Sequence, residues 1–438
     1  MPPHPADAAP LAGAASSAGP ADYESQHFLL HTDMPAKEAH ELLNKLETML
    51  SLISKYWGRP AAGVIECNVV RDLSRWPLGR LDPAGVAKIQ EEAGITLTQT
   101  LSLGGQKVAA KAVVYAVAKP GVAQHEAVHA YCGQSFGTCG PLWYAEGMAE
   151  MGQYWRPGEA SVQIHPIVLE YLQTSRPQSL NDIVNVESAR NFTGDSWQNY
   201  AWRWALCHLL ANNTNYRDRF RPLGLGFLTE QKVSFEDTYG AMSKEISFEY
   251  LFFVGHVEQG FRVDLCSWDW KKKFKTLVDR TPISARIAAG RGWQPSGASV
   301  REGKEYEYSS AGTWQTGKNK GEVTADGDAA GAGRLIGVVI KDFELSEPFA
   351  LGSYGKFKAP EDGQLFLRCQ SKWGEIGENK GGVTVKIKLA GMGDPLPAAS
   401  GAKSSVDDAN STAKVWPERG GRSRRTAQKP APADAAGP

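Results

Sequence analysis

Two histidines four residues apart, with a glutamate directly after the first, constrain this chain more than any other feature. The stretch reads His125-Glu126-Ala127-Val128-His129. On a helix, residues four apart share a face, so His125 and His129 point the same way and can grip one metal ion. Glu126 then sits beside them, where it can take a proton from a metal-bound water. A catalytic zinc wants three protein ligands and one open position. A second stretch, Trp143-Tyr144-Ala145-Glu146-Gly147-Met148-Ala149-Glu150, follows closely and puts Glu146 on a second helix as the natural third ligand.

H-E-x-x-H followed by W-x-x-E-G-x-A-E resembles the gluzincin metallopeptidases. In that family the glutamate before the glycine is the third zinc ligand, which maps onto Glu146. Sixteen residues, 130 to 145, separate His129 from Glu146, slightly fewer than in aminopeptidase-N-type members. The resemblance also implies a role for Glu150, one helical turn after Glu146. In thermolysin-like enzymes an acid at that offset orients a zinc-bound histidine by hydrogen bonding.

The 438 residues suffice for two or three domains. Lys plus Arg and Asp plus Glu both number 48, so no global basic excess points to nucleic acid. No stretch approaches the length of a membrane span. The start, MPPHPADAAPLAGAASSAGP, lacks a charged segment and an apolar core, so no intact signal peptide is visible. Six cysteines permit disulfides. Cys132 and Cys139 flank the loop between the two metal helices, and an exported protein could bridge them, pinning the ligand spacing. An exported, periplasmic or extracellular location is therefore favoured. Cys67, Cys207, Cys266 and Cys369 read as buried small hydrophobes, and the thirteen Trp as core or cleft wall.

Along the chain, residues 1–22 are Ala/Pro/Gly/Ser-rich and predict a disordered segment. A strand is expected at 26–32. A helix is expected after Pro35, its apolar stripe running through Leu42, Leu43, Leu46, Met49, Leu50 and Ile53 and ending at Gly58. A further strand is expected at 64–70. The run Lys111 to Ala118 is β-branched and apolar, and in gluzincins the equivalent strand edges the cleft and holds substrate backbone by strand addition. Helices are expected at 121–133, 141–154 and 196–211, with helical segments continuing to about 285. Many gluzincins use a downstream Tyr or His to stabilise the oxyanion. Tyr200 is the first candidate, His208 the second and Tyr239 the third. His256 reads as a core histidine. Residues 23–285 as a whole resemble peptidase MA-like gluzincins in their pattern of elements.

From Trp293 to Leu389 short alternating runs punctuated by Gly predict a β-sandwich over 290–391. The order of Ala311-Gly312-Thr313-Trp314, Gly333-Arg334-Leu335-Ile336-Gly337, Ala359-Pro360-Glu361-Asp362-Gly363 and Gly377-Glu378-Asn379-Lys380-Gly381-Gly382 resembles the galactophilic PA-I-type lectin. There a calcium ion holds the sugar. Here Ser371 replaces the aspartate of the family's Asn-Asp pair, and Glu378 and Asn379 replace its paired asparagines. Glu375 could add an oxygen, but Lys372 and Lys380 oppose a hard cation. Calcium and galactose binding are expected to be weakened or lost, and a structural or docking module stands beside a lectin as a reading. Residues 392–438 predict a disordered tail carrying Arg419, Arg422, Arg424, Arg425 and Lys429.

The expectation is an α+β chain. A zincin-like domain, with an edge strand, the H-E-x-x-H helix, the Glu146 helix and a helical C-terminal part, precedes an all-β sandwich. It would be a zinc metallopeptidase with one Zn2+ per chain, held by His125, His129 and Glu146. Glu126 would be general base and Tyr200 the oxyanion donor. Its partners would be a peptide or protein substrate and, through the sandwich, a glycan or glycoprotein. The alternative is a glycan- or surface-binding protein whose zincin fold is a scaffold. The absence of a G-x-M-E-N signature argues mildly against aminopeptidase-N specificity.

Overall fold

A computed structural model describes residues 19–103, 106–156, 160–185, 196–278, 281–391 and 394–397. The chain is mixed α and β and forms two compact units. One comprises Met1–Gly158 with Arg221–Val233, the other Glu159–Phe220 with Ser234–Pro438.

The first unit opens with β1 (Ala21–Glu24), β2 (Phe28–Thr32), α1 (Ala36–Trp57) and β3 (Ile65–Val70). It continues through α2 (Pro83–Gln90), β4 (Gly94–Leu103), β5 (Gln106–Val117), α3 (Val122–Phe136) and α4 (Leu142–Tyr154). The five strands form one sheet in the order β1-β2-β3-β5-β4. β2, β3 and β5 run parallel, while β1 and β4 are antiparallel edges. α1 buries Leu43, Leu46, Met49, Leu50 and Ile53 along one stripe and stops at Gly58, whose φ of 71° suits a residue without Cβ. β1 falls partly inside the stretch expected to be disordered; Ala-Asp-Tyr-Glu carries no apolar run that would mark a strand.

One expectation is corrected here. The strand holding Lys111 to Ala118 does not edge a cleft, because β5 is paired on one side by β3 and on the other by β4. Its apolar run fits that interior place, with Ala112, Val114 and Ala116 fully buried on one face. The edge belongs to β4, whose sequence Gly-Ile-Thr-Leu-Thr-Gln-Thr-Leu-Ser-Leu alternates apart from Gln99. That period-2 pattern was the available signal for a strand with two different faces.

The second unit contains α5 (Pro166–Thr174), α6 (Leu180–Val184) and α7 (Trp197–Asn212). After α8 (Arg217–Leu228), which runs into the first unit's returning segment, come α9 (Phe235–Tyr239) and α10 (Ser243–Gly255). Strands then take over: β6 (Lys275–Thr276), β7 (Ile283–Ala288), β8 (Gln294–Val300), β9 (Glu305–Gln315), β10 (Glu322–Val323) and β11 (Leu335–Lys341). The last are β12 (Glu344–Leu345), β13 (Phe349–Ala350), β14 (Tyr354–Lys358), β15 (Gly363–Cys369) and β16 (Lys380–Leu389). One sheet runs β10-β9-β16-β7 with β14 also on β9; the other runs β12-β11-β15-β8-β6 with β13 also on β11. Residues of both sheets, among them Tyr306, Trp314, Val385, Val339 and Leu365, share one buried core, as a sandwich requires. Among the described residues the last α-helix ends at Gly255, and sandwich strands begin at Lys275, ahead of the expected boundary near 285–290. The tail cluster Arg419 to Lys429 lies outside the described residues.

Candidate metal centre

α3 is buried on almost every face, as a helix at the centre of a unit must be. Small residues, Ala123, Ala127, Ala130 and Gly133, let neighbouring elements approach it. Its ends are set by Gly121 and Gly137, at φ 87° and 84°, and the Gly137 N–H closes on the Cys132 and Gly133 carbonyls. α4 comes close because Gly152 carries no side chain; a Cβ there would lie 2.4 Å from Val128 Cγ2. At its start, Trp57 Nε1 donates to the Tyr144 hydroxyl at 2.9 Å.

This packing brings three expected ligands together. His129 Nε2 lies 3.2 Å from His125 Nε2, His125 Nε2 lies 3.1 Å from Glu146 Oε2, and His129 Nε2 lies 3.5 Å from the same oxygen. A tetrahedral zinc with bonds of roughly 2.0–2.1 Å spaces its ligand atoms by about 3.3–3.4 Å. The triangle therefore has the edges of one face of a zinc tetrahedron. Among the described residues, no other group of His, Cys, Asp and Glu converges in this way.

The electrostatics agree. His125 Nδ1 sits 3.0 Å from Glu150 Oε1, so its N–H donates there and the Nε2 lone pair faces Glu146. Two lone pairs and a carboxylate cannot face one another at such distances without a cation. In the metal-free protein, protons take that part. Burial alone would depress the His125 pKa, but the hydrogen bonds to Glu146 and Glu150 outweigh it and raise it to about 10. His129 is raised too: burial opposes the shift, and contacts with Cys139 and Glu146 overcome it. Burial pushes Glu146 upward, but the two histidines prevail and hold its carboxyl well below the usual range.

Glu126, 8 % exposed, lies beside the triangle. The Thr96 hydroxyl on β4 is 2.9 Å from Glu126 Oε2 and 2.7 Å from the Glu126 carbonyl. Gly94, two residues earlier on the same face of the strand, leaves room for the carboxylate. A Cβ at that position would stand 2.7 Å from Glu126 Cγ and 3.1 Å from Oε1. Thr96 and Gly94 were missed with the strand that carries them.

Cys132 and Cys139 are free thiols in hydrogen-bond contact rather than the bridge foreseen. Cys139 also donates to the His129 carbonyl at 3.6 Å, and the hydrogen bond from Cys132 pulls its pKa down, with His129 adding to this. The other four cysteines are buried thiols.

The oxyanion candidates belong to the second unit. Tyr200, on α7, is half-buried with the Arg203 guanidinium 5.6 Å above its ring. His208 is buried and stacked by Trp204 and Phe253; burial pushes its pKa down to about 4. Tyr239 is fully buried, its hydroxyl donating to the Tyr216 carbonyl at 2.8 Å, which makes it a core residue. His256 Nδ1 lies 2.7 Å from the Phe252 carbonyl and its ring stacks on Phe252.

In the sandwich, Asn379 spends its amide on the structure. Its Nδ2 donates to the Ala289 carbonyl at 3.2 Å and to Ser371 Oγ at 2.9 Å, while Oδ1 accepts from Gly317 N–H at 3.0 Å. Glu375 pairs with Lys372 at 3.0 Å, and Glu378 lies 3.8 Å from Lys318.

No family model matches the chain, and no curated protein matches it. A solved structure described as "EclA N-terminal domain; PllA-like lectin" is similar over 24% of this chain and 94% of its own length, at 15% identity and a TM-score of 0.20.

Proposed function

We propose that the first unit is a zinc-dependent peptidase centre. The observation that carries this is the triangle of His125 Nε2, His129 Nε2 and Glu146 Oε2, with edges of 3.1 to 3.5 Å. Two imidazoles and one carboxylate leave a fourth position open, which a structural zinc site would close. Zinc, if held there by His125, His129 and Glu146, would lower the pKa of a bound water towards about 7 and polarise a carbonyl oxygen.

The chain's own residues then have separate tasks. Glu150 fixes the His125 ring through Nδ1, which keeps Nε2 available. Glu126 accepts the proton of the attacking water and passes it to the leaving amine. Thr96 holds one carboxylate oxygen of Glu126, and the missing side chain of Gly94 leaves the other approachable. A peptide laid along the open edge of β4 would run past Glu126, since Thr96 is itself a residue of that strand.

The test compares the wild type with Glu126→Gln on a mixed peptide library. Cleavage is expected to fall by about 10²–10⁴-fold in the variant, with the zinc content unchanged. Equal cleavage by the two proteins removes Glu126 from the reaction. A zinc-loaded wild type that cleaves no peptide rejects the peptidase reading.

A further inference from the structure

The second unit carries a feature that the metal centre does not use. Strand β7 is the outer strand of its sheet and pairs only with β16. Its backbone direction follows from two contacts. Ala289 N–H donates to the Gly381 carbonyl at 3.1 Å, so odd-numbered positions face β16. Ala288 instead turns away from β16, and the Gln294 side chain meets it. Gln294 Oε1 accepts from Ala288 N–H, and Nε2 donates to the Ala288 carbonyl, both at 2.9 Å. One amide side chain thus imitates one residue of a neighbouring strand.

Backbone groups alternate with period 2. Arg286 and Ser284 therefore present their N–H and C=O on the same outward side as Ala288. Among the described residues nothing pairs with them there. A cavity of about 320 Å3 opens beside them, walled by Ser284, Arg286, Lys272, Arg291, Gln294 and Asp269. That volume is within the range of small-ligand sites.

The charge around the cavity is one-sided. Lys271, Lys272, Lys273, Lys275, Arg286 and Arg291 are all exposed. None of them forms a side-chain ion pair among the described residues, although the whole chain is neutral, with 48 basic and 48 acidic residues. The nearby acids are occupied or few. Asp264 is held by Arg262 at 2.6 and 2.8 Å, and Asp269 caps Lys271 N–H at 3.2 Å. An open edge ringed with cations repels a second copy of itself and favours a strand that brings carboxylates.

We propose that this edge binds an extended acidic peptide segment, which extends the sheet past Gln294 along Arg286 and Ser284 and sets its carboxylates against Lys272, Arg286 and Arg291. Backbone pairing supplies register and the cations supply selectivity. The site is independent of the metal centre and stands whether or not the peptidase reading holds.

The test uses the full chain carrying Glu126→Gln, so that the probe is not consumed, and a fluorescent peptide alternating Glu with Thr, followed by anisotropy. The double variant Arg286→Glu/Arg291→Glu should weaken binding by roughly tenfold or more, with tighter binding at low salt. Arg286→Lys/Arg291→Lys, which keeps the charge, should retain binding. Removing metal with a chelator should leave the affinity unchanged, which separates this site from the peptidase cleft. A probe N-methylated at alternate backbone amides should lose about tenfold, because its strand edge is blocked. Unchanged affinity in the Glu double variant overturns the proposal. So does equal binding of the N-methylated probe, or of heparin or single-stranded DNA at matched charge, since each marks a general polyanion surface.

Discussion

Two buried carboxylates, one in each unit, show how differently a protein treats the same group. Glu249, 3 % exposed, is enclosed by neutral donors. Tyr216 hydroxyl and Trp270 Nε1 reach Oε1 at 2.7 Å, Asn215 Nδ2 reaches it at 3.0 Å, and Asn213 Nδ2 reaches Oε2 at 2.6 Å. Each of these groups brings its own hydrogen, so the hub is complete and ties α7, α10 and the following loop together. Burial still prevails over these bonds and raises the Glu249 pKa. Glu146 faces the Nε2 atoms of His125 and His129 instead, and the His125 ring spends its Nδ1–H on Glu150. A carboxylate saturated by fixed donors is architecture; a carboxylate converging with imidazole nitrogens is the basis of the metal site proposed above.

The contrast can be broken by mutation. Glu249→Ala would strand the buried donors of Tyr216 and Asn213 and the half-buried donors of Asn215 and Trp270, and should cost about 3 kcal/mol of stability. Chemical denaturation measures this, and Glu249→Gln should recover part of the loss by keeping an acceptor. A change below about 0.5 kcal/mol would show that the hub holds nothing together.

Glu150→Ala should barely alter folding but weaken zinc binding by roughly 10–100-fold, because the His125 ring loses the partner that fixes its tautomer. Competition against a fluorescent zinc chelator reads this directly. Unchanged affinity would reduce Glu150 to a helix charge.

A third test is the pH dependence of the metal-free protein. The folded pKa of His125 is raised from its ordinary 6.5 to about 10. The stabilisation this brings is fully present below about pH 6.5 and is lost as the pH rises through about 10. Melting temperature in excess chelator should therefore decline over that window. With zinc bound the imidazoles are neutral ligands, and this decline should disappear. A metal-free melting temperature that stays level from pH 6.5 to 10 would show that protons do not occupy the triangle.

The site was legible in the sequence where helical spacing governs it. His125, His129 and Glu146, and Glu150 one turn on, sit where i, i+4 geometry and a short inter-helix loop place them. Parts that depend on pairing partners were not legible. Nothing in Lys111 to Ala118 says that a further strand covers it, so β5 passed for an edge. Thr96 and Gly94 reach Glu126 only through the sheet, from thirty or more residues away. The sandwich was visible as alternation and glycine spacing, yet its first strands began earlier than composition suggested, because Lys275–Thr276 and Ile283–Ala288 are short and half exposed. The cationic rim at 271–275 was present as Lys-Lys-Lys-Phe-Lys. Its meaning depended on the open strand edge beside it.

The most direct test of the central claim is a zinc titration of metal-free protein by calorimetry, wild type beside His129→Ala. One equivalent should bind the wild type tightly, with proton release, as the raised pKa values of His125 and His129 require. His129→Ala should show no tight binding. Absence of tight binding in the wild type, or an equal isotherm for the variant, would contradict the account.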